Sequence, residues 1–184
     1  MSLYKKFIPS FYYKNIFDID YRLLKQRGIK SLFFDLDNTI IPNDVAYIDQ
    51  ESLNFLKQLE DDFQVIILSN NSFERVSKAV FGLKFIHLCK KPLKVGIKKA
   101  LKKFSLDPKE CACIGDQLFT DIFGGTRMKI RYTILVLPIL LKSDLKRTNF
   151  NRKIAKYFIN RIKIKDPNRY NLVLREYNEY CNSK

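Results

Sequence analysis

Short apolar runs rich in β-branched and aromatic residues alternate along this chain with stretches in which apolar residues recur every three or four positions. The runs lie at residues 32–34, 63–68, 85–88, 111–114 and 132–137. Such runs predict buried strands, and the three- or four-residue spacing predicts amphipathic helices. Strands that alternate with helices indicate βαβ units with a parallel sheet between two helical layers. The pattern therefore predicts a three-layer α/β/α fold with a mostly parallel sheet of five strands.

Residues that favour helix N-termini stand at several of the expected helix starts. Asp20 precedes a short helix that Gly28 ends, and Asp49 precedes a helix with leucines at positions 53, 56 and 59. Asn71, with a glutamate three positions later, matches the capping-box pattern, and Asp107 precedes a proline, which favours the first helical position. These signals place helices between the strands, as βαβ units require.

Polar side chains follow directly after three of the predicted strands. They are Asp35 and Asp37 after the first strand, Ser69 and Asn70 after the second, and Asp116 after the fourth. The carboxyl ends of parallel strands share one edge of the sheet, and open α/β sheets bind their ligands there. We expect these side chains to converge at that edge, together with a lysine, Lys90 or Lys91, from the segment after the third strand.

The two carboxylates Asp35 and Asp37 favour a site for a divalent metal. Neighbouring carboxylates repel each other unless a cation lies between them, and their oxygen atoms are suitable ligands for Mg²⁺. Aspartates also favour helix caps and turns, so the pair alone leaves both interpretations open. The added hydroxyl, amide and lysine at the same edge favour a site for phosphoryl transfer.

The net charge of +15 is distributed unevenly along the 184 residues. The abundance of lysine matches a genome rich in A and T and by itself requires no partner. Residues 142–184, however, hold 12 basic and 4 acidic residues, including five of the ten arginines. An anionic surface is therefore a hypothesis for a partner, with nucleic acid less favoured. We divide the chain into a core at 1–141, which includes an aromatic N-terminal segment, and a basic helical extension at 142–184.

Both terminal segments allow two interpretations. Residues 3–17 combine nine large apolar or aromatic residues with three lysines, which is typical of a segment packed over the core or of an amphipathic element at a membrane. Phe150, Ile154, Phe158 and Ile162 recur every four residues and predict a helix. Basic residues occupy other positions of this helix, among them Arg147, Arg152, Lys153 and Lys156. The helix docks on its own domain or contacts anionic lipid.

Other classes of site and location have little support in the sequence. The longest apolar run, residues 134–141, contains a proline and is far shorter than the roughly 20 residues that span a bilayer. The N-terminus lacks the continuous apolar region of a signal peptide. Four cysteines without a Cys-x-x-Cys pair, and one histidine, His87, in an apolar stretch, indicate neither zinc nor a disulfide framework. We expect a cytoplasmic protein, with association at the membrane surface left open.

Four motifs carry a resemblance to a known superfamily. They are DLDNT at 35–39, SNN at 69–71, KKP at 90–92 and GDQLFTD at 115–121. In this order they resemble the haloacid dehalogenase (HAD) superfamily. With FIP near the start, ILVLP at 134–138 and TNFNRKI at 148–154, the chain resembles the YqeG group of IIIA-type HAD phosphatases, which is related to the mitochondrial phosphatidylglycerophosphate phosphatases. The resemblance covers residues 3–165 and implies a Rossmann-like HAD fold, phosphatase activity and Mg²⁺ as the cofactor.

The resemblance also implies roles for individual residues. Asp35 corresponds to the nucleophile that forms an aspartyl-phosphate, and Asp37 corresponds to the general acid and base. Asp116 would bind Mg²⁺ together with the Asp35 carboxylate and the backbone carbonyl of Asp37. Asp121 would act from outside the ligand sphere by orienting metal-bound water or the lysine. Thr39 would steady the loop that carries the two aspartates.

Three further residues correspond to the phosphate-binding part of the family's site. Ser69 would bind the phosphate, with Asn70 beside it. Lys91 would hold both the phosphate and the nucleophile, and it fits the motif better than Lys90 because proline follows it directly.

The spacing of the motifs leaves no room for a cap domain. Asp37 and Ser69 are 32 positions apart, Ser69 and Lys91 are 22 apart, and each interval must hold a helix and a strand. An open site suits a substrate attached to something large, because small metabolites usually need a lid that excludes water. The resemblance favours phosphatidylglycerophosphate as the substrate. A phosphatase of soluble or macromolecular phosphate esters is an alternative; a non-catalytic binding module is another, although it would need neither aspartate. The oligomeric state is left open.

Overall fold

The computed structural model describes residues 2–140 and 146–183, and for residues 146–149 it describes the backbone alone. Six strands form one parallel sheet in the spatial order β1-β6-β5-β2-β3-β4. They are β1 (Phe11–Tyr13), β2 (Ser31–Phe34), β3 (Gln64–Leu68), β4 (Lys84–Ile86), β5 (Cys111–Gly115) and β6 (Tyr132–Val136). The five predicted strands are all present, and the parallel α/β architecture is confirmed.

The prediction of five strands was wrong by one, because the aromatic N-terminal segment contributes β1. Phe11, Tyr12 and Tyr13 pair in parallel with Ile134, Leu135 and Val136 of β6. The three residues are half-buried and carry no run of core residues around them, so their pattern resembled that of a packed segment. Only the pairing with a strand more than 120 positions later makes them a strand.

The two central strands are apolar because both faces of the sheet are covered. All four residues of β2 and all five of β5 are buried. Their side chains alternate between two cores: Leu32 and Phe34 join one apolar cluster, and Phe33 joins the cluster on the other face. A parallel sheet covered by helices on both sides requires such continuous apolar strands. The result is a rigid sheet whose carboxyl edge can hold polar side chains in fixed positions.

Eight α-helices connect or extend these strands in the described part of the chain. They are α1 (Tyr21–Gln26), α2 (Gln50–Leu59), α3 (Phe73–Ala79), α4 (Val95–Lys103), α5 (Phe123–Arg127), α6 (Lys146–Lys165), α7 (Pro167–Val173) and α8 (Arg175–Asn182). Asp20 and Asp49 cap α1 and α2 as predicted, since each side chain accepts a hydrogen bond from the backbone N–H three residues later. Asp107 instead caps a 3₁₀ turn, Pro108–Glu110.

No cap domain interrupts the fold within residues 2–140 and 146–183. The interval between β2 and β3 contains α2 alone, and the interval between β3 and β4 contains α3 alone. The carboxyl edge of the sheet therefore carries no inserted domain between β2 and β4. Among the described residues, no helix combines the length and the apolar character needed to cross a membrane.

The C-terminal helices pack on the same domain as the sheet. Ala155, Ile159 and Ile162 of α6 join one apolar cluster with Leu135 of β6. Phe7, from an N-terminal 3₁₀ turn, stacks on Phe158 of α6 and on Phe123 of α5 with ring centroids 3.8 and 4.5 Å apart. The helix therefore docks on its own domain, and the N-terminal segment packs over the core. The predicted boundary at 141/142 lies outside the described residues, and the Arg147 side chain is outside the described side chains.

Candidate active site

Polar side chains from every layer of the fold line a pocket of about 230 Å³ at the carboxyl edge of the sheet. The pocket is lined by Asp35, Asp37, Asn38, Asn43, Asn70, Asn71, Arg75, Lys91, Gln117, Thr120 and Asn151. Four predicted site residues, Asp35, Asp37, Asn70 and Lys91, are in this lining. The other four, Thr39, Ser69, Asp116 and Asp121, are buried and are not part of this lining.

Lys91 forms the buried centre of the site. Its ammonium group donates to Asp35 Oδ1 at 2.6 Å and to Asp121 Oδ1 at 2.7 Å. The lysine side chain is 3% exposed, that of Asp35 12% and that of Asp121 0%. Burial disfavours the ammonium, but the carboxylates of Asp121 and Asp35 outweigh that cost and raise the pKa of Lys91 well above its usual value. The lysine is therefore a fixed positive charge beside Asp35.

The side-chain amide of Asn70 lines the pocket and also holds the backbone of Lys91. Its Oδ1 accepts from the Lys91 N–H at 2.7 Å, and its Nδ2 donates to the Lys91 carbonyl at 3.3 Å. This pair of bonds joins the end of β3 to the segment after β4. Lys90, the other candidate lysine, is exposed and is absent from the pocket lining. The structure thus favours Lys91, as the motif did.

Ser69 lies at the base of the same loop. Its side chain is fully buried, and its Oγ accepts a 3.1 Å hydrogen bond from the N–H of Asn71. The bond bends the chain as it leaves β3, so that the following backbone and amide groups face the pocket. The serine acts in this bond as an acceptor, so its hydroxyl hydrogen is not used by it.

Asp37 is held by two residues whose part in the site the sequence did not reveal. Asn71 Nδ2 donates to Asp37 Oδ2 at 2.7 Å, and Arg75 Nη2 donates to Asp37 Oδ1 at 3.2 Å. The expected capping box at Asn71 was wrong: Ser72 caps α3 by accepting from the Arg75 N–H at 3.4 Å. Burial raises the pKa of Asp37, and the charge of Arg75 opposes that shift.

Asp116 is buried below the pocket with one oxygen atom that has no hydrogen-bond partner, Oδ1. Its backbone N–H donates to Thr39 Oγ1 at 3.1 Å, which ties the loop after β5 to the loop after β2. Its backbone carbonyl accepts a 2.8 Å bond from the hydroxyl of Tyr177 in α8. The backbone of Asp116 is thus held from two sides, while its carboxylate remains available.

Asp121 lies on a π-helical turn, Leu118–Ile122, that leads into α5. Its second oxygen, Oδ2, accepts from the Gln117 N–H at 3.2 Å and from the Thr120 hydroxyl at 3.0 Å. The carboxylate packs directly over Gly115: a Cβ at that position would lie 2.4 Å from Asp121 Cγ. Glycine is therefore required at the end of β5 for Asp121 to reach Lys91.

Three carboxylates, Asp35, Asp116 and Asp121, offer oxygen atoms that all lie within 4.8 Å of one another. Burial raises the pKa of Asp35 to about 7. The pKa of Asp116 is raised well above its usual value, first by burial and then by the charges of Asp35 and Asp121. A divalent cation would offset this repulsion and supply the partner that Asp116 Oδ1 lacks. Both oxygens of Asp121 already accept hydrogen bonds, so Asp35 and Asp116 are the more suitable ligands.

The site residues that the sequence did not reveal are mostly amides. Asn151 in α6 lines the pocket, and its Nδ2 donates to Gln117 Oε1 at 3.1 Å. A signal for it existed, because Asn151 stands four residues before Ala155 on the apolar face of a helix, where a polar residue needs a partner. Arg75 and Tyr177 had no comparable local signal, since their partners within the site, Asp37 and Asp116, lie at least 38 positions away.

Comparison with known proteins gives a family match over most of the chain. Residues 1–139 match the family model described as mitochondrial PGP phosphatase. A curated protein of Bacillus subtilis (strain 168), named Probable phosphatase YqeG, is 35% identical over 166 residues, which are 89% of this chain and 95% of the other.

Solved structures provide more distant similarities. A protein of Listeria monocytogenes serotype 4b, described as uncharacterized, is 18% identical with a TM-score of 0.49, and the match covers 64% of this chain and 84% of that one. A hydrolase of Legionella pneumophila, described as HAD superfamily (subfamily III A), is 19% identical with a TM-score of 0.39, with 53% and 60% covered.

Proposed function

We propose a reaction for this chain on the basis of its family, because the chain belongs to the mitochondrial PGP phosphatase family. The resemblance inferred from the four motifs is thereby confirmed, and the protein is an enzyme, a phosphatase of the HAD type. The proposed reaction is the Mg²⁺-dependent hydrolysis of phosphatidylglycerophosphate to phosphatidylglycerol and inorganic phosphate. It passes through an acyl phosphate on the side chain of Asp35. The observation that carries this proposal is the buried Lys91 held between Asp35 and Asp121, beside the unpaired Asp116 oxygen.

In the first step, a carboxylate oxygen of Asp35 attacks the phosphorus atom of the monoester. The bond from Lys91 fixes the carboxylate at the pocket floor, so little reorganisation is needed to reach the reacting geometry. The new P–O bond to Asp35 forms as the P–O bond to the glycerol oxygen breaks. Water then attacks the acyl phosphate, releases inorganic phosphate and regenerates the carboxylate.

Asp37 moves the protons in both steps. It donates a proton to the leaving glycerol oxygen and then accepts a proton from the attacking water. Its carboxylate lies in the pocket lining, held by Asn71 and Arg75 on one side. Burial raises its pKa, which favours the protonated form that the first step needs.

The transferred phosphoryl group needs hydrogen-bond donors and positive charge on its outer oxygens. Ser69 Oγ and nearby backbone N–H groups are the proposed donors, and Lys91, which lines the pocket, supplies positive charge. Asn70 contributes by fixing Lys91, as its two bonds to that backbone indicate. Thr39 contributes by holding the Asp116 loop.

Mg²⁺ would be held by the carboxylates of Asp35 and Asp116 and by the backbone carbonyl of Asp37, with Asp121 acting through Lys91. When bound, it supplies positive charge that offsets the repulsion between the phosphate and the carboxylates. The closely spaced carboxylates and the unpaired Asp116 Oδ1 fit such a cation.

The form of the pocket supports a substrate that stays mostly outside it. Its volume of about 230 Å³ is below the roughly 300–1,000 Å³ of sites that enclose a drug-sized ligand. It can take a phosphate and the adjoining part of the head group, and no cap covers the remainder. A lipid whose tails remain in a bilayer meets this requirement, and the protein would then work at a membrane surface on the cytoplasmic side.

The direct test is phosphate release from phosphatidylglycerophosphate in mixed micelles, beside a panel of soluble phosphate esters, with Mg²⁺ or with EDTA. We expect Mg²⁺-dependent release, with kcat/KM for the lipid at least 100-fold above that for any soluble ester. A soluble ester that equals the lipid would replace the proposed substrate while leaving the phosphatase mechanism intact. Release that persists after complete chelation would contradict the role of Mg²⁺.

A further inference from the structure

Exposed apolar side chains are concentrated around the opening of the active-site pocket. Fifteen large apolar residues are exposed in the described part of the chain, and nine of them lie in segments that leave the carboxyl ends of β2, β3, β4 and β6 or begin α6. Five of these, the mouth residues, are Tyr47, Leu88, Leu93, Ile139 and Phe150, which are 63%, 53%, 52%, 43% and 60% exposed. Single exposed apolar residues are common, but their concentration at one edge marks an interaction surface.

Each mouth residue is joined to a site residue directly or through one neighbouring residue, which is Lys90 for Leu93 and Ala46 for Tyr47. Three connections are backbone hydrogen bonds: Leu88 N–H to the Asn71 carbonyl (2.9 Å), Leu93 N–H to the Lys90 carbonyl (2.8 Å) and Ile139 N–H to the Asn38 carbonyl (3.0 Å). Two are neighbours in the chain: Phe150 precedes Asn151, and Tyr47 follows Ala46, whose carbonyl accepts a 2.8 Å bond from Arg75. The segments that carry these apolar side chains are therefore attached to the residues that line the pocket.

The segment from α3 to α4, which passes the opening after β4, is strongly cationic along its length. From Arg75 to Leu106 the chain has ten basic and no acidic residues. Two of the lysines, Lys90 and Lys94, are exposed on either side of Leu93. Basic side chains near an anionic bilayer each strengthen binding by about fivefold at moderate salt. Apolar side chains flanked by lysines are the combination that binds at the interface of such a bilayer.

We propose that this edge of the protein is its membrane-binding surface, with the mouth residues inserted among the head groups of an anionic bilayer. The inference rests on the proposed lipid substrate and deepens it. The pocket then opens toward the bilayer, and the bilayer covers the opening that a cap domain would otherwise close to water. Attachment through the apolar side of α6 is a different arrangement, and Ala155, Ile159 and Ile162 are buried against the core.

A single tryptophan can locate the surface, because the chain contains none. We compare Leu93→Trp with Phe81→Trp; Phe81 is 84% exposed and lies between α3 and β4, at the opposite edge of the sheet. The vesicles contain phosphatidylglycerol and brominated phosphatidylcholine in equal parts. Leu93→Trp should shift to shorter emission wavelengths and be quenched, while Phe81→Trp stays unchanged. Equal quenching of both, quenching of Phe81→Trp alone, or quenching of neither overturns the proposal.

A double variant tests whether the surface is needed. Leu88→Asn with Leu93→Asn removes two apolar side chains, and asparagine tolerates the positive φ of 48° at Leu88. Binding to phosphatidylglycerol vesicles should fall at least tenfold, with unchanged hydrolysis of p-nitrophenyl phosphate. The matched control, Phe81→Asn with Leu172→Asn, changes side chains that are 84% and 68% exposed away from the opening. Vesicle binding that falls equally in both double variants, or in neither, contradicts the proposal.

Failure of the surface and failure of the substrate give different results. If the wild type binds the vesicles through the mouth residues but releases no phosphate from phosphatidylglycerophosphate, the surface is supported and the substrate is wrong. If it hydrolyses that lipid in detergent micelles but does not bind anionic vesicles at low salt, the substrate is supported and the surface is wrong.

Discussion

The hydroxyl of Tyr177 donates a 2.8 Å hydrogen bond to the backbone carbonyl of Asp116, and both residues are buried. The bond joins α8, near the end of the chain, to the loop that carries the proposed Mg²⁺ ligand. A second connection, from Asn151 of α6 to Gln117, reaches the next residue of that loop. The C-terminal helices therefore take part in building the site and are more than a covering layer.

Replacing Tyr177 with phenylalanine removes this bond and keeps the ring. A buried carbonyl that loses its partner costs about 1–3 kcal/mol, so the free energy of unfolding should fall by that amount. We expect the Mg²⁺ concentration for half-maximal activity to rise several-fold, with a smaller change in KM for the substrate. The control is Tyr180→Phe. Tyr180 is also in α8, and its hydroxyl donates to a backbone carbonyl outside the site, that of Pro138, at 3.3 Å. An equal effect of both variants on Mg²⁺ activation would contradict a specific role of Tyr177 in positioning Asp116.

Replacing Asp35 with asparagine should abolish turnover, since an amide cannot form the acyl phosphate. Asp37→Asn should slow the reaction by roughly 10²–10⁴, the usual scale of general acid–base catalysis. Phosphate release by the purified variants measures both effects, and thermal unfolding checks that each variant is folded. Release by Asp35→Asn above a few per cent of the wild-type rate would show that another group is the nucleophile.

Replacing Asp116 with asparagine should stabilise the metal-free protein at pH 8. The pKa of Asp116 is raised in the folded state, so its ionisation destabilises the fold above the pKa of the unfolded chain, and the penalty disappears as the pH falls toward that value. In EDTA the variant should melt about 2–8 °C above the wild type at pH 8, for a gain of about 1–2 kcal/mol, with a smaller difference at pH 5. Excess Mg²⁺ should then raise the wild-type melting temperature and leave that of the variant unchanged. The opposite order of melting temperatures at pH 8 would contradict this account.

Two glycine substitutions should have opposite effects. A Cβ at Gly115 would overlap the Asp121 carboxylate at 2.4 Å, so Gly115→Ala should displace Asp121 and destabilise the protein by about 1–3 kcal/mol. Activity should fall at least tenfold, because Lys91 loses its second partner. At Gly124 the nearest atom would be 3.6 Å away, within a helix, so Gly124→Ala should be neutral or stabilising by up to about 1 kcal/mol. Urea unfolding and phosphate release measure the stability and the activity of both variants. A Gly115→Ala variant with wild-type stability and activity would show that Asp121 does not require glycine at this position.

The sequence predicted the residues of the site better than the contacts among them. Strand ends are set by local apolar patterns, and parallel strands must share an edge, so these patterns alone place Asp35, Asp37 and Asp116 together. The local pattern could not show whether Asn71 or Ser72 caps α3, since both residue types are good helix caps. Asp37, 34 positions away, decides the matter by binding the Asn71 amide.

Contacts between distant segments explain what else was missed. The strand β1 is three residues long and becomes a strand only through β6, and Arg75 becomes part of the site only through Asp37. Local periodicity contains no information about such pairings. The apolar stripe of α6 predicted a buried face but could not say which surface would cover it, and Phe7 supplies part of the answer.

The stacked rings of Phe7, Phe123 and Phe158 join three segments that leave the ribosome at very different times. During synthesis from the N-terminus, all six strands and every proposed catalytic aspartate are synthesised before Phe158. Until then, the rings of Phe7 and Phe123 lack one of their covering surfaces, and exposed aromatic surface of this kind favours aggregation of nascent chains. A protein shortened to the first 139 residues would keep that exposed surface permanently. Such a fragment would retain the catalytic motifs and would depend on chaperones to stay in solution.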